Sequence, residues 1–194
     1  MFGNDFENLA LLIKQIPGIS KKQAERIIHY LIEIPANEIE DFVTKLLSLK
    51  QNMIFCKHCN FLSENSTCHI CIDLDRSHKV LVVETSEIVT KFEATDKYNG
   101  RYFVLGDYNI KKLELLEPKI EQLKAMISPK TEIILGISST LNGLIVSSHI
   151  SQHPAFANNK ISQLATGIPF GASIEYMDGI TLEQAINNRK ENSK

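Results

Sequence analysis

The sequence carries no excess of positive charge: 21 lysines and arginines stand against 23 aspartates and glutamates, a formal net charge of −2. The chain is therefore no bulk polycation, and any nucleic-acid contact must come from a local basic patch. No apolar run approaches the ~18 residues of a bilayer span, so no membrane association is expected. No basic segment precedes the apolar residues of Met1 to Leu12, and no small-residue cleavage site follows, so a signal peptide is not expected either. There is no internal repeat and no low-complexity tract. No G-x-x-x-x-G-K-[ST] loop occurs, which argues against ATP hydrolysis by this chain alone. Cysteine is confined to one short stretch, which with the missing export signal points to reduced thiols and a cytoplasmic protein. What is present is ordinary for a core-forming chain: 43% hydrophobic and 23% charged over 194 residues, enough for one or two domains.

All four cysteines lie in Cys56-Lys57-His58-Cys59 and Cys68-His69-Ile70-Cys71. Each pair has two intervening residues, so both thiolates of a turn can face one ion, and the loop between the pairs is short enough to close the shell. Tetrahedral sulfur ligation fixes a polar segment such as Asn60 to Thr67 without a hydrophobic core. Zinc held by Cys56, Cys59, Cys68 and Cys71 is the expectation; two disulfides or a redox dithiol are the alternatives. His58 and His69 are spare donors inside the pairs.

Upstream, Phe6, Leu9, Leu12, Ile13 and Ile16 recur at helical spacing until Pro17-Gly18. Ser20 is placed to cap a second helix whose stripe is Ala24, Ile27, Ile28, Leu31 and Ile32. The two helices read as a helix-hairpin-helix, in which a tight glycine turn and a helix N-terminus favour a phosphate oxygen. Lys22 and Arg26 share one helix face, and Lys21 and Lys14 add charge nearby. Such a hairpin reads phosphates and not bases; the plainer alternative is an αα-hairpin with a solvated basic face. In the turn, Ser20 stands where a second glycine is usual. Pro35 closes the hairpin. Asn37 is expected to cap a third helix carrying Ile39, Phe42, Val43, Leu46, Leu47 and Leu49, either core or dimer interface.

After Ser77 the period changes. Lys79 to Glu84 is a β-branched run, as in a strand buried on both faces. A helix over 86–95, a strand over 101–105, a helix over 118–127, a strand over 132–137, a helix over 141–151 and a strand over 160–165 follow. This alternation implies a mostly parallel α/β sheet. The loop-rich Gly167 to Gly179 carries acids beside aromatics, and a last helix is expected from Thr181, with a fraying tail over 187–194.

Four features in this order resemble the RecR family of bacterial recombination mediators, over about residues 6 to 190. They are Ile16-Pro17-Gly18-Ile19, the knuckle, Val82-Val83-Glu84 with Gly100 to Gly106, and Gly167-Ile168-Pro169 with Glu175 to Gly179. The organisation expected is a helical domain (1–54), a zinc knuckle (55–72), a Toprim-type α/β domain (78–166) and a Walker-B-like segment with a C-terminal helix (167–194). The resemblance implies a ring-shaped oligomer, a tetramer, that clamps DNA and works with RecO or RecF to load RecA on single strands. It matches the DNA-contacting Lys and Arg to Lys22 and Arg26, the zinc ligands to the four cysteines, and the first Toprim carboxylate to Glu84.

Two departures stand out. After Gly106 the family's longer loop is replaced by Asp107-Tyr108-Asn109-Ile110. The family's Val-Glu-Gly-Glu appears as Leu141-Asn142-Gly143-Leu144, without either carboxylate. The one D-x-D, Asp73-Leu74-Asp75, precedes Glu84 and sits on the wrong side of the first strand for a catalytic magnesium site. Glu84 is then either an acid near a helix N-terminus or a residual metal ligand. The leading reading is a non-enzymatic DNA clamp. A magnesium-dependent Toprim nuclease or primase, and a knuckle adaptor that binds only protein, are the rivals.

Overall fold

The computed structural model describes residues 3–190 and divides into two units, one ending at Met53 and one beginning at Ile54. The first unit holds α1 (Asn4–Lys14), α2 (Lys21–Glu33) and α3 (Ala36–Asn52). Between α1 and α2 the chain reverses in a tight turn, where the Ile19 N–H donates to the Ile16 carbonyl at 3.1 Å. Pro17 presets its own φ, and Gly18 sits at φ +83°, a value that a side chain resists; both are the residues a type II turn takes at these positions. Ser20 starts α2 with a complete capping box. Its Oγ accepts from the Gln23 N–H at 3.3 Å, and Gln23 Oε1 accepts from the Ser20 N–H at 2.8 Å.

One expectation fails in this unit. Asn37 does not cap α3. Pro35 is the cap residue, at φ −60°, and its carbonyl already accepts from the Glu38 and Ile39 N–H groups, so the helix begins before Asn37 has a cap to fill. The apolar stripes are little buried. Only Ala10, Ala24 and Ile28 are buried, and α3 buries no residue. Three short helices have too little mass to cover one another's apolar faces.

The second unit opens with a hairpin, β1 (Ile54–Phe55) antiparallel to β2 (Leu62–Ser63), followed by the single turn α4 (His69–Ile72). The sheet proper is β3 (Lys79–Val83), β4 (Arg101–Val104), β5 (Glu132–Gly136) and β6 (Ile161–Gln163), in the order β4-β3-β5-β6, with every pairing parallel. Helices α5 (Ser86–Glu93), α6 (Glu117–Met126) and α7 (Leu141–Ser151) make the crossovers, and α8 (Gly179–Asn187) ends the fold. The expected last strand and last helix shift at their ends. β6 is shorter than 160–165, and α8 starts at Gly179 because Asp178, not a residue at Thr181, caps it: the Asp178 carboxylate accepts from Thr181 N–H at 3.0 Å and Thr181 Oγ–H at 2.6 Å. The expected tail divides: Asn187 closes α8, and residues 191–194 lie outside the described residues.

Strand alternation assigns the two faces. Val80 and Val82 of β3 and Phe103 of β4 point into a core with Ile120, Leu123, Val146 and Ile150 of α6 and α7. Leu81, Val83, Tyr102 and Val104 point the other way, against Val89 of α5, Ile70 of α4 and three of the cysteines. The cysteine cluster is therefore one wall of a hydrophobic core.

Candidate metal centre and nucleic-acid interface

The first cysteine pair lies in the β1–β2 turn. Cys56 N–H donates to the Phe61 carbonyl at 2.8 Å, and Asn60 N–H to the Cys56 carbonyl at 2.9 Å. Asn60 takes φ +58°, a left-handed value that asparagine tolerates best among residues with a side chain. Its amide exchanges hydrogen bonds with Gln122 of α6 at 2.8 and 3.2 Å, and Gln122 also donates to the Lys57 carbonyl at 2.8 Å. The second pair brackets α4, with Cys68 as its N-terminal flank. The Val104 N–H donates to the Cys59 carbonyl at 2.7 Å, so the knuckle continues the hydrogen bonding of edge strand β4.

The four Sγ atoms lie within 4.8 Å of one another, the one such group among the described residues. Cys59 and Cys68 sulfurs are 3.5 Å apart, and Cys56 and Cys71 sulfurs 3.9 Å. Disulfide sulfurs sit about 2.05 Å apart, so the cysteines are free. Four sulfurs at about 2.3 Å from one tetrahedral ion would be roughly 3.8 Å from each other, which the two separations bracket. Cys68 N–H points at the Cys56 sulfur at 3.3 Å, the backbone contact a thiolate prefers. Hydrogen bonding with Cys68 and Cys71, then burial, pushes the Cys59 thiol up, while bonds from Cys59 and Cys71 hold Cys68 down. Four thiol sulfurs packed this closely in a largely buried pocket form a shell whose thiolates a central dication would neutralise. The donor set fits zinc, as the spacing predicts.

Lys21, Lys22 and Arg26 are all exposed on the first turns of α2. Lys21 Nζ faces Glu25 at 3.9 Å. Lys22 and Arg26 form no ion pair among the described residues. The three cations are thus placed along the start of α2, one of them partly paired. The capping box engages the Ser20 and Gln23 N–H groups, so a phosphate at this turn would lean on the side chains of Lys22 and Arg26 more than on a nest of amides.

Glu84 follows β3 directly. One carboxylate oxygen accepts from the Tyr108 hydroxyl; the other accepts from the Ser138 hydroxyl and from the Ser138 N–H at 3.2 Å. Burial works to raise its pKa, and the bonds from Ser138 and Tyr108 outweigh that, leaving it below its ordinary value. Tyr108 is pushed up to about 12, by burial first and then by Glu84. Around Glu84 stand two neutral hydroxyls and a backbone N–H, with one further carboxylate, the exposed Asp107, lining the same cavity, which falls short of the carboxylate cluster that a dedicated magnesium site presents.

Periodicity gave no sign of a third polar cluster. Arg76 bonds both Glu93 oxygens, at 2.8 and 2.7 Å, and also Asp73 at 3.0 Å and the Gly100 carbonyl at 3.2 Å, while the Tyr102 hydroxyl donates to Glu93 at 2.7 Å. It fastens the segment after the knuckle to α5 and β4. An arginine five residues before a buried strand's centre is the only signal the sequence offers, and it is a faint one.

No helix among the described residues is long and apolar enough to cross a membrane. The family model described as "RecR, C-terminal" matches residues 167–190. Across the chain, similarity runs to the Recombination protein RecR of Mycoplasmopsis pulmonis, 36% identical over 187 residues, 95% of this chain and 97% of that protein. The Recombination protein RecR of Cytophaga hutchinsonii is 34% identical over 190 residues, 94% and 92% of the two chains. That of Streptococcus equi subsp. zooepidemicus is 34% identical over 183 residues, 91% and 92%.

Proposed function

Because this chain belongs to the RecR family of recombination proteins, we propose that it serves DNA recombination and repair as a clamp and mediator that breaks no bonds itself. In this reading it binds DNA through Lys22 and Arg26, with Lys21 as a weaker third contact. It works in the cytoplasm with RecO or RecF to load RecA on single-stranded DNA. The observation that carries the reading is the pairing of a basic helix-hairpin-helix with an α/β sheet whose Toprim carboxylate is surrounded by donors.

Zinc held by Cys56, Cys59, Cys68 and Cys71 supplies a rigid closed shell in place of a hydrophobic filling. The chain's own residues do the rest. Ile70 carries the shell into the core, and the Cys59 carbonyl docks it on β4. The Asn60–Gln122 amides tie it to α6.

A ring of several copies is part of the proposal. Phe42, Val43, Leu46 and Leu47 of α3 are exposed, as are Phe170, Ile174, Tyr176 and Ile180 ahead of and within α8. Runs of large apolar side chains at two ends of one chain suit repeated contacts with identical copies, which close by symmetry. Mass in solution, with and without DNA, tests this. A clamp is a multimer that holds DNA as a multimer, and a monomer under both conditions overturns it.

The rival, a magnesium-dependent Toprim nuclease or primase, gains no support from Glu84 or from Leu141 to Leu144, where carboxylates are missing. Incubating the protein with magnesium and labelled single- and double-stranded DNA decides it. Binding without cleavage or primer synthesis is expected. Product that disappears in Glu84→Gln would replace the clamp with an enzyme.

A further inference from the structure

In an open parallel sheet, ligands enter at the switch point, where neighbouring strands send their connections to opposite sides. Here that point lies between β3, which leads to β4 on one side, and β5, which leads to β6 on the other. Glu84 ends β3, and Ser138 follows β5. Their hydrogen bonds span the crevice at its mouth. Tyr108, from the short loop after β4, closes on the same carboxylate from the third strand. One side chain thus joins the exits of three adjacent strands.

We infer that Glu84 is a positioning residue, a latch that holds loops 106–112 and 137–140 together over the switch point, and not a ligand for a metal. The first segment contains Asp107 to Ile110, and the second runs directly into Leu141 at the start of α7. The latch stands on geometry alone and does not need the DNA-binding reading to hold.

The bond arithmetic supports it. A carboxylate has about four acceptor positions, and three are filled by donors from this chain. That leaves one position open, so a cation could be held by a single lone pair at most without displacing Tyr108 or Ser138. Asp107 lines the same cavity of about 300 Å³, but it is an exposed loop residue, and two carboxylates fall short of the ligand cluster that a dedicated site presents. The loop has its own reason to stay: the Gly106 N–H donates to the Glu84 carbonyl at 3.0 Å, and Gly106 takes φ +73°, so the turn that brings Tyr108 back is built at a glycine.

Hydrogen–deuterium exchange, read peptide by peptide, tests the latch with and without manganese as the probe ion. Glu84→Ala should speed exchange in both 106–112 and 137–140 by tenfold or more and leave β3 protected. Tyr108→Phe, which folds on the same core, should loosen 106–112 alone. Manganese should change neither segment in the unmodified protein. Unchanged loop exchange in both variants would overturn the latch. So would manganese that slows exchange, or that broadens NMR signals around residue 84, in a manner lost on Glu84→Gln. DNA affinity measured on the same samples separates this outcome from the clamp: a failed latch leaves it intact, and a failed clamp leaves the exchange result intact.

Discussion

Replacing Lys22 and Arg26 together with alanine changes the charge of the hairpin without touching its fold. Both side chains are exposed and free of ion pairs among the described residues, and the core contacts of α2 come from Ala24 and Ile28. Alanine is a good helix former, and removing a cation from the first turn relieves an unfavourable encounter with the helix dipole. Stability should move by no more than about 0.5 kcal/mol. Affinity for DNA should fall for every sequence alike. On a duplex, each phosphate contact contributes about 0.9 to the slope of log affinity against log salt, and about 0.7 on a single strand. Losing two contacts per hairpin lowers the slope by about 1.8 or 1.4. Between 50 and 200 mM salt the variant should therefore forfeit roughly twelvefold less of its duplex affinity than the parent does. Lys21→Ala should remove less than one contact's share, because Glu25 already screens that cation. Fluorescence anisotropy over a potassium chloride series measures all three proteins. An unchanged slope in the double variant, or a loss confined to some sequences, refutes the hairpin as the phosphate contact.

The metal shell should hold about one zinc per chain by elemental analysis, and Cys59→Ser or chelation should remove it along with assembled oligomer; metal-free protein of unchanged mass in solution counts against that role. Acid should weaken the fold through Glu93 and Glu84. Arg76 first, then Tyr102, holds Glu93 below its ordinary value of 4.5, and Glu84 is lowered by its donors. A lowered carboxylate stabilises above its unfolded pKa, and that contribution is lost as pH falls through the folded value. Urea midpoints should therefore be flat above about pH 6 and fall below about pH 4.5, with a shallower fall in Glu84→Gln. Gly143→Ala places a Cβ 2.0 Å from the Ser138 carbonyl oxygen. Backbone cannot step aside as a flexible side chain can, so an overpacking cost of about 1–3 kcal/mol is set against a helix-propensity gain of about 1 kcal/mol, and the urea midpoint should drop. A neutral outcome would mean that α7 slides freely past the β5 exit.

Local chemistry was readable in the sequence wherever cause and effect are neighbours. The paired cysteines, the Ser20 cap and the β-branched run of β3 each act within a few residues, and each stands where its pattern put it. Asn37 failed because proline at 35 already sets the entry to α3, and two competing start signals two residues apart cannot be ranked without the backbone. Thr181 was read as a start because the aspartate that caps the helix lies three residues earlier, inside a loop-like stretch. The stripes of α1 to α3 stand at the helical spacing read from the sequence, but periodicity reports which face is apolar, not what covers it, so core and interface stayed open for α3. Least readable were the polar clusters. Arg76 meets Glu93 across 17 residues, Tyr108 meets Glu84 across 24, and Ser138 meets Glu84 across 54. No period or motif spans such separations; only the folded sheet brings those groups together.

The placement of the cysteine shell against Leu81, Val83, Tyr102 and Val104 ties nutrition to solubility. With zinc as the shell's ion, as proposed above, starvation for the metal would loosen the knuckle from the sheet. What it leaves is a greasy plane ending at β4, an outermost strand whose Val104 N–H is no longer occupied. Such an edge invites stray strands to add on, so metal shortage would show first as precipitation of this protein and only later as a failure to mend chromosomes.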